Sequence, residues 1–116
     1  MTTQSIWKAT ARAAHADALR GKLQTDVVVV GGGIAGITLA WLLAAAGRPV
    51  VVLEAGAIGA GDTGGSTGNL YATVSGGLHE VRAKWDADTA RDVAVSRGAA
   101  VDFIERQANR LDAQAC

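Results

Sequence analysis

Three glycines and one carboxylate carry the chemistry that this sequence offers most plainly. Gly31, Gly33 and Gly36 fit the spacing G-x-G-x-x-G, and Glu54 closes a valine-rich run further along. Glycines spaced this way serve a diphosphate. The first lets the chain turn tightly out of a strand, the second lets a pyrophosphate approach backbone that has no Cβ, and the third lets a helix pack closely on the strands. The N–H groups of Ile34 and Ala35 then open the helix, with the positive end of its dipole directed at the phosphates. Glu54, with Ala55 beside it, is placed to accept both hydroxyls of an adenosine ribose, and its charge disfavours a ribose carrying a 2′-phosphate.

Those residues need a βαβ unit to bring them together, and its parts follow in order. Asp26–Val30 reads as a strand, and its unbroken β-branched run predicts burial on both faces of a parallel sheet. Gly31–Gly33 is the turn. A helix is expected from Ile34 to about Ala46, with Leu39, Ala40, Leu42 and Leu43 as its buried stripe and Gly47 to end it. Arg48 and Pro49 lead into a second strand, Val50–Leu53. The span matches the ~30 residues of a βαβ crossover. The fold class is α/β, an incomplete Rossmann-like βαβ dinucleotide-binding fold.

The fingerprint by itself leaves NAD and FAD open. A second glycine-rich stretch, Gly59 to Asn69, comes directly after the acidic strand. A second close approach of backbone suits a ligand that extends past the first loop, which favours FAD. Further on, Leu70–Val74 reads as a short extended piece and Leu78–Trp85 as a helix. A longer helix is expected from an N-cap at Asp88 to about Leu111, with Ala90, Val93, Ala94, Val101, Ile104, Ala108 and Leu111 on one face. Residues 1–21 form a leader in which Ile6 and Trp7 are placed to dock on the domain, residues 22–116. Tyr71 and Trp85 read as packing residues and His79 as a surface residue, so no catalytic residue is assigned.

Composition excludes several classes. With 11 basic and 11 acidic residues in 116, bulk charge recommends neither a nucleic-acid nor a membrane-surface partner. One cysteine, Cys116, gives no internal disulfide, and His15 and His79 lack metal-ligand spacing. The start has no basic segment followed by an apolar run, and the apolar stretch 34–46 is too short to span a bilayer. A soluble, cytoplasmic protein is expected.

Residues 26–70 resemble the start of FAD-dependent oxidoreductases of the D-amino-acid oxidase, glycine oxidase and sarcosine oxidase type. The resemblance rests on Asp-Val-Val-Val-Val-Gly-Gly-Gly-Ile-Ala-Gly, Val-Val-Leu-Glu-Ala-Gly and Ile-Gly-Ala-Gly-Asp-Thr-Gly. The leader Ser-Ile-Trp and the stretch Thr-Gly-Gly-Ser-Thr-Gly-Asn-Leu are also similar to a subgroup whose longer members carry a C-terminal Rieske iron–sulfur domain. The resemblance implies oxidation of an amine or amino-acid C–N bond by hydride transfer to the flavin. It places Gly31, Gly33 and Gly36 at the pyrophosphate and Glu54 at the ribose. Gly61, Thr63, Gly64, Ser66 and Thr67 fall on the loop that runs toward the flavin ring. Ala57 and Asp62 depart from the family pattern, and Asp62 would repel a diphosphate unless it points away. No histidine follows the loop closely enough for covalent attachment, so the FAD is expected to be non-covalent. The substrate would be a small amine or amino acid. The chain would be an N-terminal part of such an enzyme, inactive alone and lacking a C-terminal portion or a partner chain. An NAD-binding dehydrogenase fragment, and a non-enzymatic nucleotide-binding module or split subunit, are the alternatives.

Overall fold

Valine is branched at Cβ and packs well on a pleated surface, and the two valine runs form the only strands among the described residues. A computed structural model describes residues 4–11, 14 and 16–111. The readings made on His15 and Cys116 fall outside them. In chain order the elements are α1 (Ile6–Thr10), β1 (Val27–Val30), α2 (Ile34–Ala45), β2 (Val50–Leu53), α3 (Asp62–Gly65), α4 (Gly77–Lys84) and α5 (Ala87–Arg110). They fall into two compact units, one ending at Thr67 and one beginning at Gly68.

In the first unit β1 and β2 pair in parallel, Val27 against Val50 through Val30 against Leu53. Parallel neighbours need a crossover, and α2 supplies it, packing on both strands. The helix ends one residue earlier than expected, and Gly47 takes the left-handed conformation (φ 73°) that lets the chain leave it. Val29 and Ala40 are buried where α2 meets the sheet.

Burial on both faces of β1 is not found. Val29 is buried, whereas Val28 is 51% and Val30 83% exposed. Side chains alternate across a strand, and α2 covers only one side. The expected stripe on α2 is corrected in the same way: Ala40 is buried and Leu43 half-buried, but Leu39 and Leu42 are exposed. A helix this apolar all round has more hydrophobic surface than one two-stranded sheet can cover.

The second unit is built on the pairing of α4 with α5. The cap of α5 is Asp86, not Asp88. Its Oδ1 accepts Thr89 N–H at 2.6 Å, while Asp88 lies in the first turn and forms an exposed ion pair with Arg91 at 2.6 Å. Both carboxylates have the chemistry of a cap, and the extended backbone at Asp86 decides between them. Along α5, Ala90 is buried and Val93, Ala94, Val101, Ile104 and Ala108 are half-buried, as the spacing predicts, whereas Leu111 is exposed. Residues 70–74 form no strand, and Arg97 Nε–H donates to Ala72 O at 3.2 Å instead. Tyr71 and Trp85 are exposed rather than packed inside, and the Lys84 ammonium sits 5.5 Å from the Trp85 ring centre. No described helix is long and apolar enough to cross a membrane.

Candidate functional site

Parallel pairing sets Val30 beside Leu53, so the glycine turn and Glu54 leave the sheet together. Gly31 N–H donates to Leu53 O at 2.8 Å and continues the ladder by one bond. The chain then reverses at Gly31, whose φ of 104° is a conformation L side chains rarely adopt. Its carbonyl oxygen lies directly under Gly36, where an added Cβ would collide with it. The third glycine of the motif therefore does what its spacing predicts: it lets α2 approach the strand end at backbone distance.

Glu54 folds back over this turn. Its Oε2 accepts Gly32 N–H at 2.6 Å and its Oε1 accepts Gly56 N–H at 2.9 Å. Backbone donors favour the charged carboxylate. The Gly32 N–H, followed by that of Gly56, holds the Glu54 carboxyl below its ordinary value of 4.5, against a smaller opposing effect of desolvation. Each carboxylate oxygen can accept two hydrogen bonds, so both retain capacity for a further donor.

Gly32 is the position in the turn that motif spacing passes over, because it occupies an unspecified place between Gly31 and Gly33. Besides donating to Glu54, it accepts Gly59 N–H at 2.9 Å through its carbonyl. It is buried, and a Cβ there would press on the Ile58 side chain and lie 3.1 Å from Glu54 Oε2. The signal in the sequence is the unbroken glycine triplet.

The second glycine-rich stretch reaches the same turn. Within it the one-turn helix α3 carries Thr63, whose Oγ1 accepts Ile34 N–H at 2.9 Å. An α-helix leaves its first N–H groups without intrahelical acceptors. In α2 one of these goes to Thr63, and Ala35 and Gly36 follow in the same turn. Gly33 is the N-cap residue, and a Cβ added to it would lie 3.2 Å from Thr63 Oγ1. Gly64 is buried, and a Cβ there would collide with the Gly59 carbonyl oxygen. Gly61 caps α3, and Asp62 is exposed in its first turn. Ser66 lies past α3 with its carbonyl accepting the Trp7 indole N–H, and Thr67 is exposed.

The structure thus joins Gly31, Gly33, Ile34, Gly36, Glu54, Thr63 and Gly64 in one cluster at the strand ends. Ala35, Ala55 and Gly61 are carried along as chain neighbours, while Ser66 and Thr67 lie at its margin. The cluster combines an ionised carboxylate that accepts hydrogen bonds with a helix N-terminus and a hydroxyl that can donate them, a set suited to a nucleotide and its phosphates. No group of residues able to hold a metal is present among the described residues.

Comparisons with known proteins identify the family. The family model for FAD dependent oxidoreductases (DAO) matches residues 26–114. The chain is 41% identical over 90 residues to gamma-glutamylputrescine oxidoreductase of Escherichia coli strain K12, covering 77% of this chain and 21% of that protein. It is 40% identical over 80 residues to thiamine thiazole synthase of Methanococcus aeolicus, covering 68% of this chain and 28% of that one. A third relative is the tRNA 5-methylaminomethyl-2-thiouridine biosynthesis bifunctional protein of Nitrosospira multiformis, 44% identical over 55 residues, 47% of this chain and 9% of that one. No solved structure matches significantly. The chain therefore spans well under a third of the curated relatives it matches.

Proposed function

Because the chain belongs to the FAD dependent oxidoreductase family, we propose that residues 26–67 form the adenosine-diphosphate end of a non-covalent FAD site. The site serves an enzyme that oxidises a C–N bond of an amine or amino acid. One observation carries the reading: Glu54 Oε2 is tied to Gly32 N–H at 2.6 Å, which joins the carboxylate proposed for the ribose to the turn proposed for the phosphates. In this reading Glu54 accepts the ribose hydroxyls and the first turn of α2 faces the diphosphate, with Thr63 beside it. Asp62, exposed in the first turn of α3, keeps its charge in solvent. Bound FAD supplies the hydride acceptor, and the protein's part is to orient it.

The amine substrate is supported by a relative whose name gives gamma-glutamylputrescine as its substrate. Residues 22–116 then serve as the FAD-binding portion and 1–21 as a leader. This chain on its own is expected to bind FAD without turning over an amine, since the described residues offer no candidate catalytic group. The test is titration of the purified chain with FAD, read by flavin fluorescence, with NAD titrated in parallel by calorimetry. Saturable FAD binding, with the flavin released on acid denaturation, is expected. Binding of NAD without FAD would point to a dehydrogenase piece and overturn the proposal.

A further inference from the structure

The leader is fastened to the second glycine-rich stretch by side chains that grip its backbone. The Ser5 hydroxyl donates to Gly64 O, and Trp7 Nε1–H donates to Ser66 O at 2.8 Å. Ser5 also caps α1, its Oγ accepting Lys8 N–H at 3.3 Å, so the residue that starts the helix also anchors it. Helix α1 packs on α3, and the Lys8 stem runs so close to Gly64 that a Cβ there would lie 2.8 Å from Lys8 Cε. Thr63 is held in that same short helix, with its Oγ1 on Ile34 N–H. An unbroken set of contacts therefore runs from Ser5 and Trp7, through the carbonyls on either side of Gly65, to the first turn of α2.

We infer that α1 is a brace that sets Thr63 over the first turn of α2, which makes Ser5 and Trp7 positioning residues for the cofactor cradle. A hydroxyl has one proton to donate and two lone pairs. With Ile34 N–H directed at one lone pair, the Thr63 proton is free to be given to an anionic oxygen in front of the turn. Removing the leader's grip loosens α3 and leaves that hydroxyl without a fixed direction. The inference rests on reading the turn as the diphosphate end of a FAD site.

Two measurements on the full chain separate the brace from the cofactor reading. The first is amide hydrogen exchange at Ile34 without any cofactor, in Ser5→Ala, Trp7→Phe and the double variant, with circular dichroism confirming the fold. Exchange at Ile34 should rise severalfold, while the mid-helix amides of Trp41 and Leu42 stay as in the parent. Thr63→Ala gives the upper limit, and Ser5→Thr, which keeps a hydroxyl, should restore the parent rate. The second is FAD titration of the same proteins. The double variant should bind roughly tenfold more weakly, the loss expected of two hydrogen bonds, and Ser5→Thr should recover most of it. Unchanged exchange at Ile34 would overturn the brace whatever the cofactor. Faster exchange with undiminished FAD affinity would overturn the positioning role. If the parent chain binds no FAD, the failure belongs to the cofactor reading, and the exchange measurement alone decides whether the leader holds Thr63.

Discussion

Glu54 gains its partners only when the chain is folded, because Gly32 and Gly56 converge on it through the turn and not through sequence proximity alone. Its carboxyl is held below 4.5 in the folded chain by those two N–H groups, Gly32 first. A carboxyl with a depressed folded pKa stabilises the protein above its unfolded value, and that stabilisation is lost as pH falls through the folded value. Asp86 acts in the same direction from an ordinary value of 3.8, held down chiefly by the Thr89 N–H. Thermal unfolding followed downward from neutral pH should therefore show a midpoint that falls once pH drops below about 4.5. Glu54→Gln should unfold at a lower temperature at neutral pH, because one amide oxygen replaces two carboxylate acceptors, and its midpoint should fall less steeply in acid. A variant with the same acid slope as the parent would show that Glu54 is not among the titrating groups. Its FAD affinity should also drop, by roughly the tenfold to hundredfold that follows when a charged hydrogen-bond acceptor is lost.

Among the elements, α5 offers the cleanest test, since one residue fixes where it begins. Asp86→Ala removes the acceptor for Thr89 N–H and should lower the midpoint of urea unfolding of the chain, as loss of an N-cap side chain does. Asp86→Asn, which still accepts a hydrogen bond, should recover most of the loss. Asp88→Ala removes only an exposed ion pair with Arg91 and should change stability little. This pair also shows where sequence reasoning reaches its limit. Both aspartates have the right chemistry, and the choice depends on a backbone angle at Asp86 that propensity does not determine. By contrast, β1, α2, β2 and Gly36 were legible, because valine runs, an apolar helix and a glycine spacing are local patterns. The roles of Gly32 and Thr63 were less so. Gly32 was hidden in an unspecified motif position, and Thr63 was placed on the cofactor loop by resemblance alone, with no hint that it caps α2. The one-turn helix α3 was invisible because Asp-Thr-Gly-Gly has no periodic pattern to read. Trp7 was expected to dock on the domain, but the carbonyls that it and Ser5 grip, at Ser66 and Gly64, lie far away in sequence, and no local rule names them.

At the scale of the whole molecule the governing fact is an open sheet. Two parallel strands present one face to α2, while Val28 and Val30 remain exposed on the other. Each strand also pairs along only one of its edges, since β1 and β2 are the only strands among the described residues. Leu39 and Leu42 add exposed apolar surface on α2. Edges and apolar patches of this kind favour pairing with other chains. The purified chain should therefore bind a hydrophobic dye and scatter light as more than a monomer at micromolar concentration. Val30, 83% exposed, is the position where this can be tested without touching the packed interior. Val30→Lys places a charge on the open face and leaves Val29 in the core. It should reduce dye binding and shift the chain toward monomer, with helix content unchanged. A parent chain that is already monomeric and does not take up the dye would mean that the open face is not adhesive. The variant also reports on function, because Val30 immediately precedes the glycine turn. If the open face is remote from the cofactor cradle, Val30→Lys should leave FAD affinity within about twofold of the parent, the small effect expected of a surface substitution. A large loss would mean that the end of β1 contributes to the cradle directly.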